Sequence, residues 1–144
     1  MTASAYGASI WHLSRILNDC LSKALHPVTR RYGITQAQAQ LIFSVHRDSE
    51  ATIGTIAHRL GLARTNASAM CKKLAGMGFL KRKRREDDER IVSLALTEAG
   101  QNAARAIEKR IEKIYQKKLV NMQEVENLMQ TFEEISNLLK EENA

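Results

Sequence analysis

A chain of 144 residues with 44% hydrophobic content can bury one core without disulfides or metals, and no apolar run approaches the roughly 20 residues that cross a bilayer. Its net charge of +6 is concentrated: residues 59–90 hold ten basic against four acidic side chains, the whole excess, while six glutamates after residue 120 meet only Lys140. One segment is therefore suited to a polyanion.

From about Ser4 to Leu25, Ile10, Leu13, Leu17, Cys20, Leu21 and Leu25 recur at helical spacing. This predicts a long first helix that Pro27 should kink or break. Gly33 then ends a helix, Ile34 can act as a staple, and Thr35 with Gln38 forms a capping box that opens a second helix to about His46. After a loop of turn formers, Ile53, Ile56, Ala57 and Leu60 mark one face of a short third helix, and Gly61 stops it. A fourth helix over about 63–77 places Ala67, Met70, Cys71 and Leu74 inward, with Arg64, Thr65, Ser68, Lys72 and Lys73 outward. Ala63 stands where a capping residue is expected, a loss of about 1 kcal/mol.

Two short strands follow, about 80–84 and 91–96, the second alternating Val92, Leu94 and Leu96 toward a core. The acid-rich stretch Glu86–Glu89 is the turn between them, since Asp satisfies tight-turn backbone groups. Thr97 caps a fifth helix with a stripe at Ala103, Ile107, Ile111 and Ile114. Asn121 with Glu124 opens a sixth through Val125, Leu128, Phe132, Ile135 and Leu139. The expected fold is mainly α with a small β-wing: a winged helix-turn-helix over about 35–97, flanked by N- and C-terminal dimerisation helices over about 4–32 and 98–144. The whole, residues 1–144, is expected to be one domain. Trp11, Leu17, Phe132, Ile135 and Leu139 are the candidate contacts of a two-fold homodimer.

The segment Asp88–Gly100, DERIVSLALTEAG, carries an acid, one residue, an arginine, three residues, then L-x-L-T-x-x-G. With IAHRLGLARTNASAMCKKLAGMGFLKR upstream, it resembles the MarR family of bacterial transcriptional regulators over nearly the whole chain. The resemblance implies a cytoplasmic, sequence-specific regulator of transcription, most often a repressor, acting on double-stranded DNA. It also implies that Arg90 enters the minor groove while Asp88 braces the wing, and that a small aromatic effector can lodge beside the first helix, where Trp11, His12 and Arg15 are the candidates. Oxidant sensing through a first-helix cysteine occurs among such relatives; Cys20 reads here as a buried small hydrophobe, and Cys71 as structural.

Groove dimensions assign the other candidates. Arg64 can bind guanine through two hydrogen bonds, Thr65 or Asn66 can meet adenine or a thymine methyl, and Ser68 can meet a base or phosphate. Lys72 and Lys73 suit phosphates, and Lys81, Arg82, Lys83, Arg84 and Arg85 can follow the backbone along the wing. The alternative is a winged-helix module whose basic face takes RNA or a protein partner. GMGFLK lacks the third glycine and preceding strand of a dinucleotide site, KRKRR is wedged between apolar strand residues unlike a localisation tag, and the histidines lack ligand spacing. No catalysis, cofactor or metal is expected, and the N-terminus has no secretory pattern.

Overall fold

The computed structural model describes residues 2–116 and 122–141. In chain order the elements are α1 (Ala3–Tyr32), α2 (Gln36–His46), α3 (Ile53–Leu60), α4 (Arg64–Gly76), β1 (Leu80–Arg84), β2 (Val92–Leu96), α5 (Glu98–Gln116) and α6 (Met122–Glu141). Two compact units result, Met1–Ile111 and Glu112–Ala144, so the division falls inside α5. None of the described helices is long and apolar enough to cross a membrane.

Local signals place the helix ends. Gly33 takes φ 64° and closes α1, with its N–H on Arg30 and Thr29 carbonyls. Thr35 and Gln38 cap each other reciprocally at the start of α2. A second reciprocal box, Thr52 with Thr55, opens α3; a hydroxyl there does the work usually given to Glu or Gln, so the pattern was not visible in the sequence. α4 starts at once after Ala63, which has no side-chain cap bond. The first turn is regular, so the missing cap does not distort it.

α1 does not end near Leu25. It runs on through Pro27 to Tyr32, because Leu25 and Val28 on either side of the ring are buried in the core. A proline removes the bond to the carbonyl four residues back and crowds the preceding turn; in that turn Ala24 O accepts Arg110 Nε of α5 at 2.7 Å. Burial and this tertiary bond hold the helix on both sides of the proline. The N-terminal two-thirds of α1 is exposed: Leu13, Ile16, Leu17 and Leu21 are 40–57% accessible, and Cys20 is exposed with them. The expectation of a buried Cys20 is therefore corrected for the single chain, whereas Cys71 is fully buried.

Leu41 and Ile42 of α2, Ile56 of α3, Cys71 and Leu74 of α4 and Ile107 of α5 are the largest fully buried side chains. β1 and β2 pair antiparallel, Leu80 with Leu96 through Arg84 with Val92. An isolated bridge from Thr52 to Ser93 and Leu94 N–H on Ala51 O at 2.8 Å add the start of α3 to the other edge of β2. β1 is the free edge, and its four consecutive cations discourage edge-to-edge pairing. In the second unit, Val125 and Ile135 of α6 are half-buried while Leu128, Phe132 and Leu139 are exposed. Asn121, expected to open α6, lies outside the described residues.

The hairpin is anchored to α5 by a compact set of bonds. Phe79 O accepts Thr97 N–H at 3.1 Å; the Thr97 hydroxyl donates to Gly78 O at 2.6 Å and accepts Gly100 N–H at 3.1 Å. A Cβ on Gly100 would lie 2.1 Å from Phe79 O and 3.2 Å from Leu96 Cβ. This explains T-x-x-G: threonine caps α5 and ties the α4–β1 turn, and glycine lets that turn approach. We predict that Gly100→Ala costs about 3 kcal/mol or more, as a forced backbone shift should. Gly76→Ala, which would add a Cβ in open space, should be neutral or stabilising. Urea unfolding of both variants checks this, and equal midpoints would refute the close-approach argument.

Candidate nucleic-acid interface

Charge and helix geometry build the site from α4 outward. The buried stripe of α4 is Ala67, Cys71 and Leu74. At 3.6 residues per turn, the crest opposite that stripe carries Thr65, Ala69, Lys72 and Gly76, with Asn66 and Lys73 beside it. All six are exposed. Ala69 escaped the sequence reading because only polar side chains were sought; its position four residues after Thr65 was the available signal. Arg64 and the half-buried Ser68 lie on the flank, Arg64 roughly 50° from the centre of the buried stripe.

Helix physics makes Arg64 notable. The first turn of α4 has no acidic residue, although carboxylates are favoured at a helix N-terminus and cations are not. With no side-chain cap, that positive end is unneutralised. Lys73, in the last turn, is where the dipole alone would favour a cation, so its presence carries less functional weight.

The wing sorts its charges by strand alternation. Lys81 and Lys83 pair with Ala95 and Ser93, and share one face; Arg82 and Arg84 pair with Leu94 and Val92, and share the face of Leu80 and Leu96. Arg82 lies close enough to Cys71 to offset part of the rise that burial gives the thiol pKa. At the tip, Arg85 Nε and Nη2 donate to Asp87 at 2.9 and 2.6 Å. Arg90 donates to Asp88 from its backbone N–H, Nε and Nη2, each at 3.0 Å. Arg84 reaches Glu89 O at 3.4 Å, and Lys83 lies 3.7 Å from Glu86. The acids thus fold the turn and hold the arginines within it. Among the described residues, Lys81, Arg82, Lys72 and Lys73 have no carboxylate partner.

The Arg90 guanidinium holds the Asp88 carboxyl below the usual carboxylate range, with the Arg90 backbone N–H adding to the effect. Arg85 does the same for Asp87. The two arginines are correspondingly raised by their acids. Arg90 itself is 89% exposed while Asp88 is 30% exposed, so the carboxylate sits against the hairpin and the guanidinium projects from it.

One bond joins the helix to the wing: Arg64 Nη2 donates to Arg90 O at 2.9 Å. Arg64 also lines a concavity of about 750 Å³ shared by the start of α3 and the wing, with Glu50, Thr52, Arg85 and Val92 among its other lining residues. The structure therefore brings the α4 and wing candidates together on the first unit. Trp11, His12 and Arg15 stand apart on α1, all exposed, Trp11 at 81%, and they line none of the three concavities described. Trp11 shares a side of α1 with Arg15 but lies roughly 120° round the helix from Leu17; the two α1 candidates for dimer contact occupy different faces. Among the described residues, no three His, Cys, Asp or Glu side chains are gathered as a metal would need.

Comparison with known proteins adds the following. The family model described as "Transcriptional regulator SarA/Rot" matches residues 23–107. The chain is 21% identical over 106 residues to the HTH-type transcriptional regulator SarZ of Staphylococcus haemolyticus, covering 74% of this chain and 72% of that protein. In structure it is similar to AbsC, a MarR family transcriptional regulator from Streptomyces coelicolor, with a TM-score of 0.76, 18% identity and 97% of each chain covered. It is similar also to reduced AbfR bound to DNA, with a TM-score of 0.72, 22% identity, and 95% and 93% of the two chains covered. The winged-helix fold expected from the sequence is the fold observed.

The Asp88–Arg90 pair generates a pH test. A carboxyl whose folded-state pKa is depressed contributes stability above its unfolded pKa and loses it as pH falls through the folded value. Carboxyl ¹³C titration should give Asp88 and Asp87 midpoints below the ordinary aspartate value, and Arg90→Ala should return Asp88 upward while leaving Asp87 in place. Midpoints of both aspartates at the ordinary value would contradict the pairing.

Proposed function

The chain belongs to the SarA/Rot family of transcriptional regulators, and from that premise we propose that it acts in the bacterial cytoplasm as a homodimeric repressor, reading an inverted-repeat operator in double-stranded DNA. The observation that carries this reading is the joining of two dissimilar surfaces: the exposed, uncapped first turn of α4 and the arginine-bearing wing tip, linked through Arg64 and Arg90 O. A helix fits the major groove, and an adjacent extended tip reaches the neighbouring minor groove.

In this reading Thr65, Asn66 and Ser68 meet base edges, and Ala69 offers a methyl surface to thymine. Lys72 and Lys73 meet phosphates. The wing cations Lys81, Arg82, Lys83, Arg84 and Arg85 follow the backbone and release counterions, so affinity falls steeply with salt. Arg90, projecting from its carboxylate support, enters the minor groove, where narrow A·T-rich sequence deepens the negative potential. The dimer follows from apolar exposure: Leu13, Leu17 and Leu21 on α1 and Leu128, Phe132 and Leu139 on α6 are 40–58% accessible, more apolar surface than isolated helices leave to water without a partner. A second copy of the chain is the occupant that an inverted repeat requires, with recognition helices about one turn, ~34 Å, apart.

Selection from random duplexes yields the operator, and fluorescence anisotropy on it tests the assignment. Arg90→Ala should weaken binding by about five- to 150-fold, in line with the roughly 1 to 3 kcal/mol of a specific arginine contact, while moving the melting temperature little, as an exposed ion pair allows. Lys73→Ala should weaken operator and random DNA alike. An Arg90→Ala protein that folds and binds normally would leave the wing as a solvated hairpin. Light scattering should report a dimer at micromolar concentration; a monomer would remove the inverted repeat from the proposal.

A further inference from the structure

We propose that Arg64 acts as a strut that sets the position of Arg90 at the wing tip, and is not an independent reader of bases. The inference deepens the reading above and rests on it, since a strut matters only if the wing tip engages DNA.

The base of the wing is held by the core. Leu80 and Leu94 are buried, Leu94 N–H is bonded to Ala51 O, and Thr97 ties the turn before β1 to α5. The tip has no such support: residues 85–90 are exposed apart from a half-buried Asp88. Among the described residues, Arg64 to Arg90 O is the one side-chain hydrogen bond between α4 and the wing. It falls on the carbonyl of Arg90 itself, whose side chain is 89% exposed. Asp88 fixes the other half of that residue, taking its backbone N–H and its guanidinium together. Arg90 is therefore clamped at both ends of its backbone, by its own turn and by the recognition helix.

Two features of α4 point the same way. Arg64 occupies the flank of the helix and not the crest that carries Thr65, Ala69 and Lys72. It is also a cation in the helix turn where a cation is least favoured, in place of any acidic residue; helix stability does not account for it, and a contact elsewhere does. Clamping a long arginine before DNA arrives removes ordering that binding would otherwise require, which is how preorganisation raises affinity.

A double-mutant cycle tests this. On the selected operator, Arg64→Ala should weaken binding about five- to tenfold, the upper part of the range for an ordinary intramolecular hydrogen bond. In the Arg90→Ala background the same change should cost no more than about twofold, the residue of lost charge. In the free protein, amide ¹⁵N relaxation should show added motion at residues 87–91 in Arg64→Ala, with β1 and β2 unchanged. An equal penalty for Arg64→Ala in both backgrounds, or an unaltered wing tip, would overturn the strut while leaving the DNA reading standing. An Arg90→Ala variant of full affinity would instead overturn both, and so the two failures are told apart.

Discussion

The carbonyl of Phe79 is the point on which the arrangement of helix and wing depends. It lies where α4 has ended and β1 has not begun, accepts the Thr97 amide at 3.1 Å, and sits against Gly100 with no room for a methyl group. Through it, the end of the recognition helix, the start of the wing and the start of α5 share one small volume. Gly78, at φ 85°, permits the turn that brings the carbonyl there. The side chains that carry charge are all downstream of this constraint: the wing leaves the core in a set direction because its root cannot move relative to α5.

Charge placement then runs against what stability alone would select. The first turn of α4 lacks both a cap and an acid, and four cations follow one another on a free strand edge. Each choice costs something in isolation, through an uncompensated dipole or through like-charge repulsion. The acids of the turn relieve only part of it. Asp87 and Asp88 each take one arginine in a two-pronged pair, which orders the tip, while among the described residues Lys81 and Arg82 of β1 and Lys72 and Lys73 of α4 keep no carboxylate partner. The opposed charges of residues 81–90 thus divide into exposed cations and an internal scaffold that holds the turn.

Much of this was legible in the sequence, and the parts that were not share a cause. Gly33, Thr35 with Gln38, and Gly61 act within a few residues of themselves, so their signals marked a helix end at Gly33, the start of α2 and the end of α3 as observed. The strands followed from alternation and from the acid-rich turn. Pro27 misled because α1 is held around it by the burial of Leu25 and Val28 and by Arg110 of α5, bonded to Ala24 O 86 residues away, contacts that no local pattern reveals. Thr55 was passed over as a capping partner because a hydroxyl seldom takes that part. The bond between Arg64 and Arg90 joins residues 26 apart on elements of different period. Each was assigned to a candidate nucleic-acid surface, but the bond between them is a property of the folded chain. Trp11 and Leu17 were grouped by size and apolarity, although a count of helical turns separates their faces.

Hydroxyl-radical footprinting on the selected operator reports directly on whether helix and wing engage adjacent grooves at once, because the radical attacks sugars along the minor groove. The predicted pattern is a two-fold symmetric set of protected minor-groove positions flanking each half-site, lost in Arg90→Ala while protection over the half-sites persists. A footprint confined to the half-sites in the unmodified protein, or one without two-fold symmetry, would contradict it.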